Sequence, residues 1–361
     1  MHHQYALDLL TEAGDLLEHT VVTPDWQAAL EWVHFEGIRD GQLGAVTRTG
    51  PGEIDPVWDA RHGEPYVGGF RVTVRGPDGR TAARELPKTY LRGLAQDASV
   101  DLVKRGILAK NSTFRWVVRA VPAPGEAPVR HDDGFGVEEI AQPIPIDEAA
   151  LSSFEDAVVV AGDDDEAPGQ VPVFLPRAVL DQATALAIAS GDLETGGVLV
   201  GKLHRDVASD DGRTPGLFVE VTAQVPAPHT RSETTKLTFT GDTWAAVRDA
   251  IALRRRGEMM MGWWHYHPDW CRLRDCPPER RRECTAASPF FSAEDVHLHA
   301  TCFPAGHQVA LLVSQSTAAG LTSSLFGWWE GRVVSRGFHV IDHEPVQRTT
   351  EGDVDAANPA P

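Results

Sequence analysis

The sequence predicts an α+β first part followed by a larger part in which helices pack on a mixed, α/β-like sheet, and three observations point that way. The chain has 361 residues of which 42% are hydrophobic, enough for two cores of ordinary size. A stretch rich in proline, glycine and acid, "VPAPGEAPVRHDDGFGVEEIAQPIPID" at 121–147, divides it. Beyond that stretch, helical and strand-like periodicities alternate. The expected organisation is an α+β unit over 1–120, a linker over 121–147, the larger domain over 148–343 and a disordered tail over 344–361.

In the first unit, "TPDWQAALEWV" carries a helix start, with Thr23 as N-cap and Pro24 at the first helical position. "FRVTVRGPDGRTAARELP" alternates around a Pro-Asp-Gly turn, the signature of a β-hairpin. "YLRGLAQDASVDLVKRGIL" reads as helix and "TFRWVVRAV" as strand. Trp26, Trp32 and Trp116 are assigned to the core, and this unit carries no chemical motif, which leaves it partner or substrate recognition.

In the second unit, the acidic stretch "AGDDDEAPGQ" after the strand-like "AVVV" lacks calcium-loop spacing and reads as a solvated loop. "LPRAVLDQATALAIA" places Val179, Leu180, Ala183, Leu186 and Ala187 on one helical face, and "GGVLVGKL" follows as a buried strand. "GLFVEVTAQVPAP" is a further strand. "TGDTWAAVRDAIALRRRG" is a helix capped by Thr240 or Asp242, with Trp244, Val247 and Ile251 as its apolar stripe. The strand "MMMGWWHYH", an insertion, a short helix from Ser292, and the strands "QVALLV" and "LFGWWEGRVVSRGFHVI" complete the unit.

Charge and composition exclude several classes. A formal net charge of -19 argues against general nucleic-acid binding, which needs clustered cations. No apolar run approaches the ~18 residues of a membrane span, and the acids within "MHHQYALDLLTEAGDLLEHT" are unlike a signal peptide, so a cytoplasmic protein is expected. Four cysteines in such a chain make no secreted disulfide framework.

The chemistry concentrates around "GWWHYHPDW" at 262–270. In an extended strand, alternate side chains share a face, so His265 and His267 point together and Tyr266 points away. That suits two ligands on one ion, and equally two core histidines bonded to backbone carbonyls. A hydrolytic zinc site needs about three protein ligands, a position for water and a general base. Asp295 in "SAEDVHLH" can supply the carboxylate, Glu194 in "LETGGVLVG" the base, and Ser292 a donor to a developing oxyanion. Ser292 with Asp295 is also a capping pattern, and both readings can hold at once. Glu194 alone would be a surface acid beside a glycine turn.

The order "ETGGVLVG", "HYHP", "SAED" resembles the JAB/MPN metalloprotease family, the JAMM class of zinc isopeptidases, in its prokaryotic deubiquitinase-like form, over roughly 150–343. The resemblance implies that His265, His267 and Asp295 hold zinc, Glu194 is the general base and Ser292 steadies the intermediate. The implied fold is a curved mixed β-sheet flanked by helices, like that of cytidine deaminases. Tyr266 stands where the family has Ser or Thr, and 24 residues separate His267 from Ser292, a longer segment than the family's. A zinc base deaminase would need His-x-Glu with Pro-Cys-x-x-Cys, and neither occurs.

The extra length is a Cys/Arg-rich insertion over 269–289. Cys271, Cys276 and Cys284 crowd there, and with Cys302, His297 or His299 they make a candidate second, structural zinc. The bland alternative is a flexible loop whose cysteines happen to cluster. Arg272, Arg274, Arg280, Arg281 and Arg282 form a cationic face that can meet a partner. The family resemblance implies cleavage after the C-terminal tail of a ubiquitin-like protein, in company with E1- and E2-like enzymes. The polar segment "VPAPHTRSETTKLTFTGD" is an expected neighbour of the tail groove. Release of cysteine or a peptide from a sulfur-carrier protein, and a catalytically silent MPN scaffold, stand as alternatives.

Overall fold

The computed structural model describes residues 3–123, 140–154, 156–160, 170–207, 216–227, 231–233, 236–281, 289–316 and 319–342. Within them the chain is α+β with two large sheets. The expected tail over 344–361, most of the acidic loop and much of the linker lie outside the described residues.

The first sheet is built from β1 (His3–Leu10), β2 (Leu16–Val22), β3 (Glu53–Trp58), β4 (Tyr66–Arg75), β5 (Thr81–Pro87) and β6 (Arg115–Pro122). Its order is β2-β1-β6-β4-β3, with β5 also paired to β4. The β4–β5 hairpin turns at the anticipated Pro-Asp-Gly, with Gly79 at φ +81° as such a turn requires. Tyr5, Leu7 and Leu9 enter the core. On the other face Asp8 is buried between His19 (2.6 Å) and Arg119 (2.7 Å). Pairing on both sides is how a carboxylate tolerates that position.

Helix α1 (Gln27–Arg39) starts later than Thr23 and Pro24 predict, with Trp26 at its N-cap and no side-chain cap. The cause is tertiary: the Tyr90 hydroxyl donates to the Asp25 carbonyl (2.7 Å) and Trp26 stacks on Tyr90 at 5.2 Å, while Asp25 Oδ1 accepts from Gln27 N. Helix α2 (Arg92–Lys104) closes the unit. Trp32 is buried, as expected, and Trp26 and Trp116 are partly buried against the same core.

The second sheet comprises β7 (Asp147–Ala149), β8 (Val158–Val160), β9 (Val173–Pro176), β10 (Gly196–Asp206) and β11 (Leu217–Pro226), and further on β14 (Met259–His267), β15 (Val309–Ser316), β16 (Gly320–Trp329), β17 (Arg332–Arg336) and β18 (Phe338–Ile341). A separate hairpin, β12 (Arg231–Glu233) with β13 (Lys236–Thr238), falls between β11 and helix α4 (Gly241–Arg254). The main order is β17-β16-β15-β14-β10-β11-β9-β18-β8, with β7 on β10. Helix α3 (Arg177–Ser190) packs on one face through Val179, Leu180, Ala183 and Ala187. On the other face Val198, Val247 of α4, Trp263 and Phe303, at the end of α6 (Ala293–Cys302), form a second cluster. Thr240 caps α4, as anticipated.

The two units share one continuous apolar core, because α1 lies against the second sheet's turns. Trp32 meets Trp329 edge-on at 6.2 Å and Phe35 meets His307 at 5.6 Å. Gly306 permits that approach, since a Cβ there would lie 2.7 Å from the Phe35 Cβ. The last linker residues are fixed to both units: Thr47 N donates to Gln142 O (2.7 Å), Ile144 N donates to Ala45 O (2.9 Å), and β7 pairs with β10. Among the described residues no helix is long and apolar enough to cross a membrane.

Candidate metal centre

Strand β14 lies near the middle of its sheet, antiparallel to β10 and parallel to β15, so His265 stands opposite Gly196 on one side and Leu312 on the other. Strand alternation sends Trp263, His265 and His267 to the α6 side, while Trp264 and Tyr266 join the opposite core. Both histidines are buried, His265 completely. Helix α6 supplies the third group. Ser292 Oγ accepts from Asp295 N (3.1 Å) and Asp295 Oδ2 accepts from Ser292 N (2.8 Å), a capping box that orients the carboxylate. The two sequence readings of this pair are therefore compatible. The insertion returns to the sheet and brings Asp295 Oδ1 to 3.4 Å from His265 Nε2 and Oδ2 to 3.5 Å from His267 Nε2.

The two Nε2 atoms are 3.1 Å apart. Metal–ligand bonds of about 2.0–2.1 Å at tetrahedral angles put neighbouring ligand atoms roughly 3.3–3.4 Å apart. The three observed separations bracket that value, so the donor set fits one small divalent cation, zinc included. Among the described residues it is the only group of three or more His, Cys, Asp or Glu whose ligand atoms come within 4.8 Å of one another.

Glu194 is held on the turn between α3 and β10, where Tyr266 N donates to Thr195 O (2.8 Å). Its Oε1 is 3.9 Å from His267 Nε2 and it is buried, not a surface acid. Burial, with the charges of Asp295 and Glu294, pushes its carboxyl up to about 8. Burial would raise Asp295 as well, but the two imidazoles hold it well below the usual carboxylate range. Burial lowers His267, with Asp295 pulling the other way. Acid groups pushed apart in this manner are typical of sites that move protons.

Aromatic side chains wall the centre. Trp263 lies nearly parallel to the His265 ring at 4.5 Å (15°), Phe291 meets that ring at 5.7 Å, and Phe290 meets His267 at 5.0 Å. Trp263 also donates from Nε1 to His299 Nδ1 (3.1 Å), deep in α6. Sequence reasoning named His299 only as a ligand for the cysteines. Its spacing from Asp295, four residues on and so on the same helical face, was the signal that linked it to this centre.

The insertion forms the short helix α5 (Trp270–Leu273), capped by Asp269, and a 3-10 turn at Pro278–Arg280. Cys271 is buried, Cys276 half-buried and Cys302 exposed on α6; Cys284 lies outside the described residues. Three of the arginines are engaged within the chain: Arg272 with Asp192, Arg274 over the Trp270 ring (5.4 Å), and Arg281 with the Cys276 carbonyl (2.9 Å). Arg282 and the side chain of Arg280 lie outside the described residues.

No family model matches the sequence, and no curated protein does. Among solved structures, the solution structure of protein DSY2949 from Desulfitobacterium hafniense is similar at 19% identity, over 47% of this chain and 94% of that one, with a TM-score of 0.31.

Proposed function

We propose that this chain is a zinc-dependent isopeptidase or peptidase of the JAB/MPN (JAMM) kind, cleaving after the C-terminal tail of a ubiquitin-like protein. The observation that carries the reading is the buried His265–His267–Asp295 triangle with the carboxyl of Glu194 3.9 Å from one of its corners. A zinc ion held there would polarise the carbonyl and lower the pKa of its water towards about 7. Glu194 takes the proton of the attacking water and returns it to the leaving amine, a role suited to a carboxyl whose affinity for a proton is raised. The Ser292 oxygen accepts from Asp295 N, which leaves its hydroxyl hydrogen to donate to the oxyanion. Phe290 and Phe291, against the rings of His267 and His265, would flank the reacting carbonyl with apolar surface. The β12–β13 hairpin, in the polar segment leading to α4, offers backbone for an extended tail to pair with.

The test uses a genome-neighbour ubiquitin-like protein fused to a reporter. Wild-type protein is expected to release the reporter after the tail, and Glu194→Gln to release none while keeping its zinc. Release by Glu194→Gln at the wild-type rate would reject the mechanism. A sulfur-carrier protein with a C-terminal cysteine adduct serves as the competing substrate, and preference for it would move the assignment to sulfur metabolism.

A further inference from the structure

Ligand imidazoles at metal sites are ordinarily oriented by a hydrogen bond at the nitrogen that does not face the metal. Here the Nε2 atoms of both histidines face Asp295, and the Nδ1 atoms of both are buried with no hydrogen-bonding group among the described residues. Another contact must therefore set the ring planes. For His265 it is the Trp263 indole, parallel to the imidazole at 4.5 Å. That indole is itself held by its bond to His299 Nδ1 (3.1 Å). His299 is fully buried in an aromatic box of Phe291, Phe303 and Trp328, with ring centroids 6.3, 6.1 and 5.0 Å away. Burial pushes His299 down to about 3, so its ring is neutral and Nδ1 is available as an acceptor.

We propose that His299 is a positioning residue for the metal centre: it fixes the Trp263 indole by accepting its N–H, and the indole in turn fixes the plane of His265. Stacking thus replaces the usual hydrogen bond to the ligand, and the hydrogen bond is displaced one residue outwards. The inference rests on the metal-binding part of the proposed function and not on the substrate. It assigns His299 to Trp263 and leaves the cysteines of the insertion without it.

Three variants and three readouts test it. His299→Leu keeps the volume and removes the acceptor. His299→Asn restores an acceptor near the Nδ1 position. Trp263→Phe keeps a flat ring and removes the donor. Zinc affinity is measured by chelator competition, and ligand geometry by the visible spectrum of the cobalt(II)-loaded protein. His299→Leu and Trp263→Phe are expected to bind zinc 10–100-fold more weakly with an altered cobalt spectrum, and His299→Asn to recover most of the affinity and the wild-type spectrum. Wild-type affinity and spectrum in His299→Leu would overturn the proposal, as would equal loss in His299→Leu and His299→Asn. If His299→Leu does not fold, the contrast between His299→Asn and Trp263→Phe decides in the same way. In the metal-free protein, the Trp263 indole N–H is expected to be protected from exchange in wild type and His299→Asn and to lose that protection in His299→Leu; protection in His299→Leu equal to wild type would overturn the link. A wild-type protein that takes up no zinc at His265, His267 and Asp295 overturns both the metal reading and the positioning role, whereas wild-type uptake with indifferent variants overturns the positioning role alone.

Discussion

Gly262 lies three residues before His265, at φ +149°, where a side chain is strained. A Cβ there would fall 1.8 Å from the Val309 carbonyl oxygen and 2.9 Å from its nitrogen, both backbone atoms that no rotamer change can move. A carbon ordinarily stays about 3.3 Å from such an oxygen, so Gly262→Ala must open the β14–β15 pairing by roughly 1.5 Å, against a strand spacing of about 4.8 Å. Two ladder bonds lost in a buried sheet, at about 1–3 kcal/mol each, place the cost near 2–6 kcal/mol beyond the dihedral term. Gly257→Ala serves as the control for a positive φ without a clash: its φ is +67° and nothing lies within 4 Å of the added carbon. The control should lose only about 1–2 kcal/mol. Urea unfolding followed by tryptophan fluorescence compares the two. Unfolding free energies of the two variants equal to within about 1 kcal/mol would refute the claim that backbone approach at Gly262 sets the geometry of the histidine strand.

Glu258 is buried and accepts from Arg254 Nε (2.6 Å) and from Thr222 (2.5 Å), so Glu258→Ala should cost about 1–3 kcal/mol of urea stability by removing these charge-assisted bonds, the partly exposed guanidinium turning to water. Burial pushes His307, packed on Phe35 between the two units, down to about 4. Its folded pKa lies below the ordinary 6.5, so the unfolded chain takes up the proton first: its contribution is full above pH 6.5 and is lost as pH falls from 6.5 towards 4. That contribution is about 3 kcal/mol, and His307→Gln should flatten the acid limb of a stability-versus-pH curve by that amount.

Local signals in the sequence located the parts of the fold that are locally determined. The Pro-Asp-Gly turn, the Thr240 and Ser292 caps and the alternation in "GWWHYH" each depend on neighbours within a few residues, and each stands where the sequence put it. The start of α1 did not follow its local signal, because Tyr90 and Trp26, 64 residues apart, hold Thr23 and Pro24 outside the helix. Strands β1 and β2 gave no clear alternation, since Asp8 is buried by partners from β2 and β6. The shared core between the units was equally illegible: Trp32, Phe35, Gly306 and Trp329 acquire their meaning only when the two units meet. At the centre the motif order anticipated that His265, His267 and Asp295 come together, whereas the contact of Trp263 with His299 depends on the angle at which α6 crosses β14.

The central claim is that His265, His267 and Asp295 hold one zinc ion and that Glu194 does not. Zinc per chain, measured by mass spectrometry after exchange into metal-free buffer, tests it on four proteins. Wild type and Glu194→Gln should carry the same amount, and His265→Ala and Asp295→Ala one ion fewer, whatever the cysteines of the insertion hold. Equal zinc in all four proteins, or a loss in Glu194→Gln matching that in His265→Ala, would contradict the account.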